Sequence, residues 1–472
     1  MGDVIATQIV ILGGTGDLSQ RKLLPALFDL YTRDMLPLNF HIIGLARSEK
    51  SDIEYQEFVK DSLIKNAIPK EGFHKPLADF CQRISYVSGA FTDDKTYQKL
   101  ADKLEEFDKK ENLDSNKLFY LAVPPTFYDQ IFTDLKKSGL ADEKPRTWTH
   151  ILVEKPFGNN LKTAQKLDAK LASLYREDQI FRIDHYLAKE AVQNILSFRF
   201  ANRILMDSWN NQSIESVHIT MTETIDVGER TNFYEGLGAL RDVGQNHLLQ
   251  LLALTAMREP KEFTVEEIRQ ARQETLEALK PIDIEHLEKY VLRAQYEGYK
   301  DKDPALKDSE TETYFELKAE LDSPNWQGVP FYIRAGKALN KSEVSIVVKF
   351  KDVTAGMFKT ESCHTAGNEV RLTISPEQTM AIVLNAKAPG LGFQIEQRTL
   401  GFVCAKGDLE IKNSYEKVLY DAIIGDQTLF TKTEEVLASW KYITPIIENW
   451  GKLPLYTYQK GSEGPKETII PK

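Results

Sequence analysis

Short apolar runs and amphipathic stretches take turns along the first 180 residues of the chain. Gln8-Ile-Val-Ile-Leu12 is an apolar run closed by glycine, as a strand buried on both faces requires. His41–Ala46, Ile84–Val87, Leu118–Val123 and His150–Val153 repeat that signature. Between them the spacing is helical. Leu23, Leu24, Leu27, Phe28 and Tyr31 predict one helix, with Pro25 tolerable only near its start. Further helices are predicted over about 53–65, 94–107 and 126–137. Strand and helix in strict turn predict a Rossmann-type, doubly wound parallel sheet, whose ligand belongs outside the carboxyl ends of its strands. The Pro124-Pro125 turn and Glu154-Lys-Pro-Phe-Gly158 both fall at such ends, which aims Lys155 towards the crevice. The bonds preceding Pro124, Pro125 and Pro156 are open to either isomer.

At Ile180-Phe-Arg-Ile183 the last strand of this series ends, and the pattern changes. Asp184 is a good helix N-cap, and Leu187, Val192, Ile195 and Leu196 predict a helix from Tyr186 onward. On that helix His185 and Lys189 would share a face. Beyond it, apolar and polar residues alternate at Val217–Met221, Val344–Phe350, Val370–Ile374 and Met380–Leu384. These predict half-buried strands of a mostly antiparallel sheet, with Met380, Ile382 and Leu384 on its covered side and helices gathered on one face. Helices interrupt at about 243–257, 265–279 and 434–450, and the charged stretch 296–308 reads as an exposed loop. The expected organisation is an α/β dinucleotide-binding domain over 1–183 and a larger β+α domain over 184–472 that binds substrate and dimerises.

Size supports two domains: 472 residues exceed what one core usually serves. The net charge of −10 argues against nucleic acid or an acidic membrane as partner, so a phosphorylated ligand needs a local basic cluster. Three widely spaced cysteines, Cys81, Cys363 and Cys404, argue for a reducing compartment. The first residues lack a secretory signal, no run is long enough to span a bilayer, and no His/Cys spacing suggests a metal. The expectation is a cytoplasmic, metal-free protein.

Candidate chemistry begins at Gly13-Gly-Thr-Gly-Asp-Leu-Ser19. Read as Gly14-x-Gly16-x-x-Ser19, it matches the dinucleotide fingerprint with Ser in place of the third Gly, and it lies between a strand and a helix. A structural turn is the bland alternative. At the end of the second strand Arg47-Ser48 favours the 2′-phosphate of NADP, with NAD left open because Glu49 follows. His185 and Lys189, at the N-terminus of the helix that Asp184 would cap, would form a phosphate seat, or simply a capped helix with surface charges. His247 lies among leucines, where a hydrogen-bonded core histidine is the plainer reading, and Lys337 and Lys341 follow a buried strand.

Six stretches together carry a family resemblance: GGTGDLSQRKL, GLARS, VEKPFG, RIDHYLAKE, ALRDVGQNHLLQ and VPFYIRAGKALNK. The chain resembles the bacterial glucose-6-phosphate dehydrogenases. The resemblance implies oxidation of glucose 6-phosphate at C1, the first step of the pentose phosphate pathway, with hydride passing to NADP or NAD. It implies His247 as the base for the C1 hydroxyl proton and Asp184 as the carboxylate that orients it. It implies Lys22, Lys155, His185, Tyr186, Lys189, Glu223, Glu235, Lys337 and Lys341 as substrate contacts. It implies Gly13, Gly14, Thr15, Gly16, Asp17, Leu18, Ser19, Arg47, Ser48 and Lys155 as coenzyme contacts, and a homodimer formed through the second sheet.

Three departures stand out. Ala188 replaces the family's usual Gly, Glu235 replaces its usual Asp, and the segment after Lys337 is shorter than usual. A catalytically silent NADP-binding sensor, or a relative acting on another sugar phosphate, are the competing readings.

Overall fold

The computed structural model describes residues 6–66, 74–228, 231–352, 367–392, 394–404 and 413–471. The chain divides into two units. The first comprises Met1–Gly158, Lys162–Ala188 and Ile411–Thr433, and the second Asn159–Leu161, Lys189–Glu410 and Glu434–Lys472. The two continuous halves expected from the sequence therefore need correction, because a late segment returns to the first unit.

In the first unit the described residues form a seven-stranded sheet, its strands numbered along the chain. They are β1 (Thr7–Leu12), β2 (Phe40–Ala46), β3 (Ile84–Ser88), β4 (Asn116–Leu121), β5 (Thr149–Val153), β6 (Ile180–Ile183) and β15 (Phe430–Thr431), in the order β15-β6-β5-β4-β1-β2-β3. β1 to β6 run parallel, and only the returning β15 is antiparallel, with Phe430 opposite Ile183. Every residue of β1 is buried, as the unbroken apolar run requires. The returning helix Ser414–Ile424 puts Val418, Leu419 and Ala422 into the same cluster as Leu27 and Phe28 of helix Leu24–Thr32. Burying such side chains is worth roughly 1.5–3 kcal/mol each, which fixes the segment to this unit.

In the second unit the described residues form a nine-stranded sheet: β7 (Ile214–Thr222), β8 (Val291–Tyr296), β9 (Tyr314–Ala319), β10 (Phe331–Gly336), β11 (Glu343–Phe350), β12 (Glu369–Ser375), β13 (Thr379–Lys387), β14 (Ile395–Val403) and β16 (Leu455–Tyr458). Their order is β14-β13-β12-β11-β7-β10-β9-β8-β16. Pairing is antiparallel except between β7 and β10 and between β8 and β16.

Two expectations fail here. Met380 is buried, but Leu384 on the same face of β13 is exposed, as are Leu400, opposite Ile382, and Phe402, opposite Met380, on β14. Alternation tells which face is apolar, not whether anything covers it, and this stripe runs out to the sheet's edge. The stretch 296–308 is not simply an exposed loop, because Tyr296, Tyr299 and Leu306 join a buried cluster while its charges face outward.

The junction also differs from expectation. Residues 185–188 form turns, and the helix begins at Glu190, with Lys189 as its extended N-cap. Asp184 does accept a backbone N–H, that of Tyr186 at 3.0 Å, but it closes a turn with Leu187 rather than capping the helix. His185 and Lys189 therefore do not share a helical face. Among the described residues, no helix is long and apolar enough to cross a membrane. Cys81 and Cys404 are unbridged, and Cys363 lies outside the described residues.

Candidate active site

In the first unit the glycine turn follows β1 directly. Gly13 has a φ of +94°, and a Cβ there would sit 2.3 Å from Ala122 O, so only glycine lets the turn close against the end of β4. Ser19, at the fingerprint's third glycine position, is fully buried and donates its hydroxyl to Gly13 O at 2.9 Å. Gln20 Nε2 donates to Thr15 O at 3.0 Å. A second brace comes from Tyr55, whose hydroxyl donates to Gly14 O at 2.9 Å while its ring lies over Gly44 of β2. Helical structure starts at Asp17, and Thr15, Gly16 and Leu18 are part-exposed beside it. A bare backbone turn before a helix N-terminus fits a pyrophosphate. Arg47 and Ser48 are exposed just past β2, and Tyr86 ties that loop down by donating to Ser48 O at 2.7 Å. Lys22 is exposed on the π-helical segment Ser19–Leu23.

At the end of β5 a network appears that local sequence did not foretell. The Glu154 carboxylate accepts from Tyr120 Oη at 2.5 Å and from Tyr415, and Tyr128 Oη donates to Glu154 O at 2.9 Å. Burial pushes the Glu154 carboxyl above the usual range, and the two phenols and the adjoining Lys155 pull it back. The Lys155–Pro156 bond is cis. Tyr415 also stacks on the His185 ring, with centroids 6.1 Å apart and planes 12° from parallel. One residue of the returning segment thus backs both the Glu154-Lys155 turn and the His185-Tyr186 turn. Asp184 is 3% exposed at the end of β6, and Ala188 packs its methyl into the apolar cluster.

In the second unit β7 and β10 are parallel neighbours with Thr222 opposite Gly336. Parallel register brings the next residues, Glu223 and Lys337, to the same end of the sheet. The Lys337 ammonium pairs with the Glu223 carboxylate and lies 3.9 Å from Asp242 Oδ2 and 5.5 Å from the centre of the Tyr234 ring. Asp242 stands on the π-helical segment Leu240–Leu248, which also carries His247, 1% exposed. Asp242 carries no signal of its own in the sequence beyond its place in the stretch ALRDVGQNHLLQ.

The structure does not bring Lys341 into this group, since its ammonium pairs with Glu343 at 2.6 Å. Glu235 is held elsewhere as well: its Oε2 accepts from Tyr299 at 2.9 Å and Ser309 at 2.8 Å. Both donors come from or flank the stretch that reads as loop. Among the described residues, no cluster of His, Cys, Asp and Glu is arranged to hold a metal ion.

A parallel-sheet unit with a bare glycine turn, and a second unit whose sheet end gathers a lysine and two carboxylates beside a π-helical segment that also carries a buried histidine, define a nicotinamide-dinucleotide oxidoreductase. Comparison with known proteins makes the assignment specific. Residues 10–194 match the model for the glucose-6-phosphate dehydrogenase NAD binding domain, and residues 196–469 match that for the C-terminal domain of the same enzymes. The chain is 38% identical to a glucose-6-phosphate 1-dehydrogenase of Chlamydia pneumoniae, covering 97% of this chain and 93% of the relative. It is 36% identical to that of Borreliella burgdorferi, covering 97% and 95%. Among solved structures, a glucose-6-phosphate dehydrogenase in complex with glucose 6-phosphate superposes with a TM-score of 0.91 at 34% identity, covering 99% of this chain and 97% of that one. The chain belongs to the glucose-6-phosphate dehydrogenase family.

Proposed function

We infer that this chain oxidises glucose 6-phosphate at C1 to 6-phosphogluconolactone with hydride transfer to NADP or NAD. The observation that carries the reading is the family match across 10–194 and 196–469, with His247, Asp184 and the lysine set all present.

In this reading His247 accepts the C1 hydroxyl proton as the hydride departs. An imidazole titrates near neutral pH, and such general-base assistance is worth about 10²–10⁴-fold. Asp184 orients the imidazole and offsets the charge it gains. Its own direction is supported by the hydrogen bond its carboxylate accepts from Tyr186 N–H. His185, Tyr186 and Lys189 receive the phosphate, and Lys337 with Glu223 engages the sugar hydroxyls. Lys22 and Lys155 place C1 beside the coenzyme. Residues 13–19 with Arg47 and Ser48 hold the dinucleotide, and Arg47 tilts the choice to NADP. The bound coenzyme supplies the hydride acceptor. Binding the remote phosphate lets that free energy position the reacting carbon.

We place a homodimer contact on the exposed apolar stripe of Leu384, Leu400 and Phe402, and the protein in the cytoplasm. The direct test is absorbance at 340 nm with glucose 6-phosphate, run separately with NADP and NAD and repeated with other hexose 6-phosphates. Turnover with glucose 6-phosphate and a higher kcat/KM for NADP is expected. Tight NADP binding without turnover would favour a silent sensor. A higher kcat/KM for another sugar phosphate would favour the altered-substrate reading that Glu235 permits.

A further inference from the structure

The π-helical segment Leu240–Leu248 carries both Asp242 and His247. A π-helix of nine residues is rare, and the first N–H groups of any helix have no partner within it. Ala239, at the cap position, has no side-chain acceptor to offer. The partners come instead from one residue far along the chain. Ala239 N–H donates to Glu312 O at 3.1 Å, and Leu240 N–H donates to Glu312 Oε1 at 3.0 Å. The Glu312 side chain is 2% exposed, and its other oxygen, Oε2, accepts from Trp450 Nε1 at 2.9 Å.

Two N–H donors on two oxygens suit the ionised carboxylate, and the dipole at a helix N-terminus favours its charge. Burial pushes the Glu312 carboxyl above its usual range, and the Leu240 and Trp450 donors pull it back. The approach is close. A Cβ at Gly238 would lie 2.2 Å from Glu312 Oε1, so a glycine before the segment lets the carboxylate reach it.

The next residue holds the other side of the group. Thr313 O accepts the backbone N–H of Lys337 at 3.0 Å, and Lys337 O accepts from Tyr458 Oη at 2.7 Å. Two consecutive residues just before β9 thus grip the π-helical segment and the backbone of Lys337. The Lys337 ammonium lies 3.9 Å from Asp242 Oδ2 as a result. We propose that Glu312 is a positioning residue for the oxidation of glucose 6-phosphate, fixing the segment that carries His247 and Asp242 relative to Lys337. This rests on the reading in which His247 takes the C1 hydroxyl proton and Lys337 engages the sugar. Lys337 keeps its ties to Thr313 and Tyr458 when Glu312 changes, so Glu312 governs proton removal more than sugar binding.

Glu312→Gln tests this. The amide has nearly the same shape, but one of its ends is a donor and must oppose either Leu240 N–H or Trp450 Nε1–H. The start of the segment then has to shift. A misplacement of about 1 Å can cost roughly 10²-fold, so kcat with glucose 6-phosphate is expected to fall at least about tenfold. The sugar-phosphate KM and the NADP dissociation constant, followed by fluorescence, should stay within about twofold of the parent values. Trp450→Phe removes only the donor to Oε2 and keeps a ring in place. It should lower kcat by about threefold, the scale of a single hydrogen bond. An unchanged kcat in Glu312→Gln, or equal losses in kcat, sugar-phosphate KM and NADP affinity, overturns the proposal. If circular dichroism shows that Glu312→Gln does not fold, Trp450→Phe decides, and a parent-like kcat there overturns it. A parent protein without turnover of glucose 6-phosphate removes the reading and the proposal together. An active parent beside an unimpaired Glu312→Gln variant removes the proposal alone.

Discussion

Lys337 and Lys341 look interchangeable in the sequence, yet the structure predicts very different losses when each is replaced by methionine. Lys337 has a side chain 19% exposed, pairs with Glu223 and lies 3.9 Å from Asp242. A substrate oxygen arriving there meets a cation already aimed and partly desolvated. Losing one charge-assisted hydrogen bond in such a setting costs about 1.5–3 kcal/mol, or roughly 10- to 150-fold in kcat/KM. The variant also leaves the Glu223 and Asp242 carboxylates without that cation, which adds repulsion towards a phosphorylated sugar. Lys341 is 65% exposed and held by Glu343. An exposed pair of that kind is worth about 0.2–1 kcal/mol, so Lys341→Met should cost no more than about fivefold. Steady-state rates at 340 nm, with glucose 6-phosphate varied at saturating coenzyme, measure both. Melting temperatures confirm that each variant folds. If Lys341→Met lost as much as Lys337→Met, the assignment of the sugar contact to the end of β10 would be wrong.

Gly44→Ala should raise the coenzyme KM while sparing that for the sugar, because the new Cβ would lie 2.3 Å from the Tyr55 ring that braces Gly14. The overpacking should cost about 1–3 kcal/mol of stability, and an unchanged coenzyme KM would refute the brace. Asp421 gives a pH prediction. Burial raises its carboxyl from 3.8 to about 6 despite Lys417, so the folded state holds its proton more tightly than the unfolded chain does. Its contribution is therefore full below about pH 4 and is lost as pH rises through about 6, a change of up to about 3 kcal/mol. Denaturant titrations should find Asp421→Asn gaining on the parent protein between pH 4 and pH 7. A constant difference across that range would contradict the shift.

Much of the first sheet was legible because strands buried on both faces are written as unbroken apolar runs, and β1 to β5 fall within a few residues of where those runs lie. The return of 413–431 was not legible. Phe430 pairs with Ile183 and Tyr415 packs on His185 across more than 200 residues, and such partnerships leave no periodic mark in either segment. Asp184 shows a different limit. A carboxylate accepting the N–H two residues on is common to helix caps and to isolated turns, so the residue type alone could not separate them. In the 296–308 stretch the signal was present but outweighed: Tyr296, Tyr299 and Leu306 recur at helical spacing among the charges, and Tyr299 reaches Glu235.

The most direct test of the account is the steady-state kinetics of His247→Asn. Asparagine keeps the polarity and much of the volume of this buried position but cannot take a proton. The expected result is a fall in kcat of about 10²-fold or more with the glucose 6-phosphate KM little changed. A kcat near that of the parent protein would mean that another group removes the C1 hydroxyl proton.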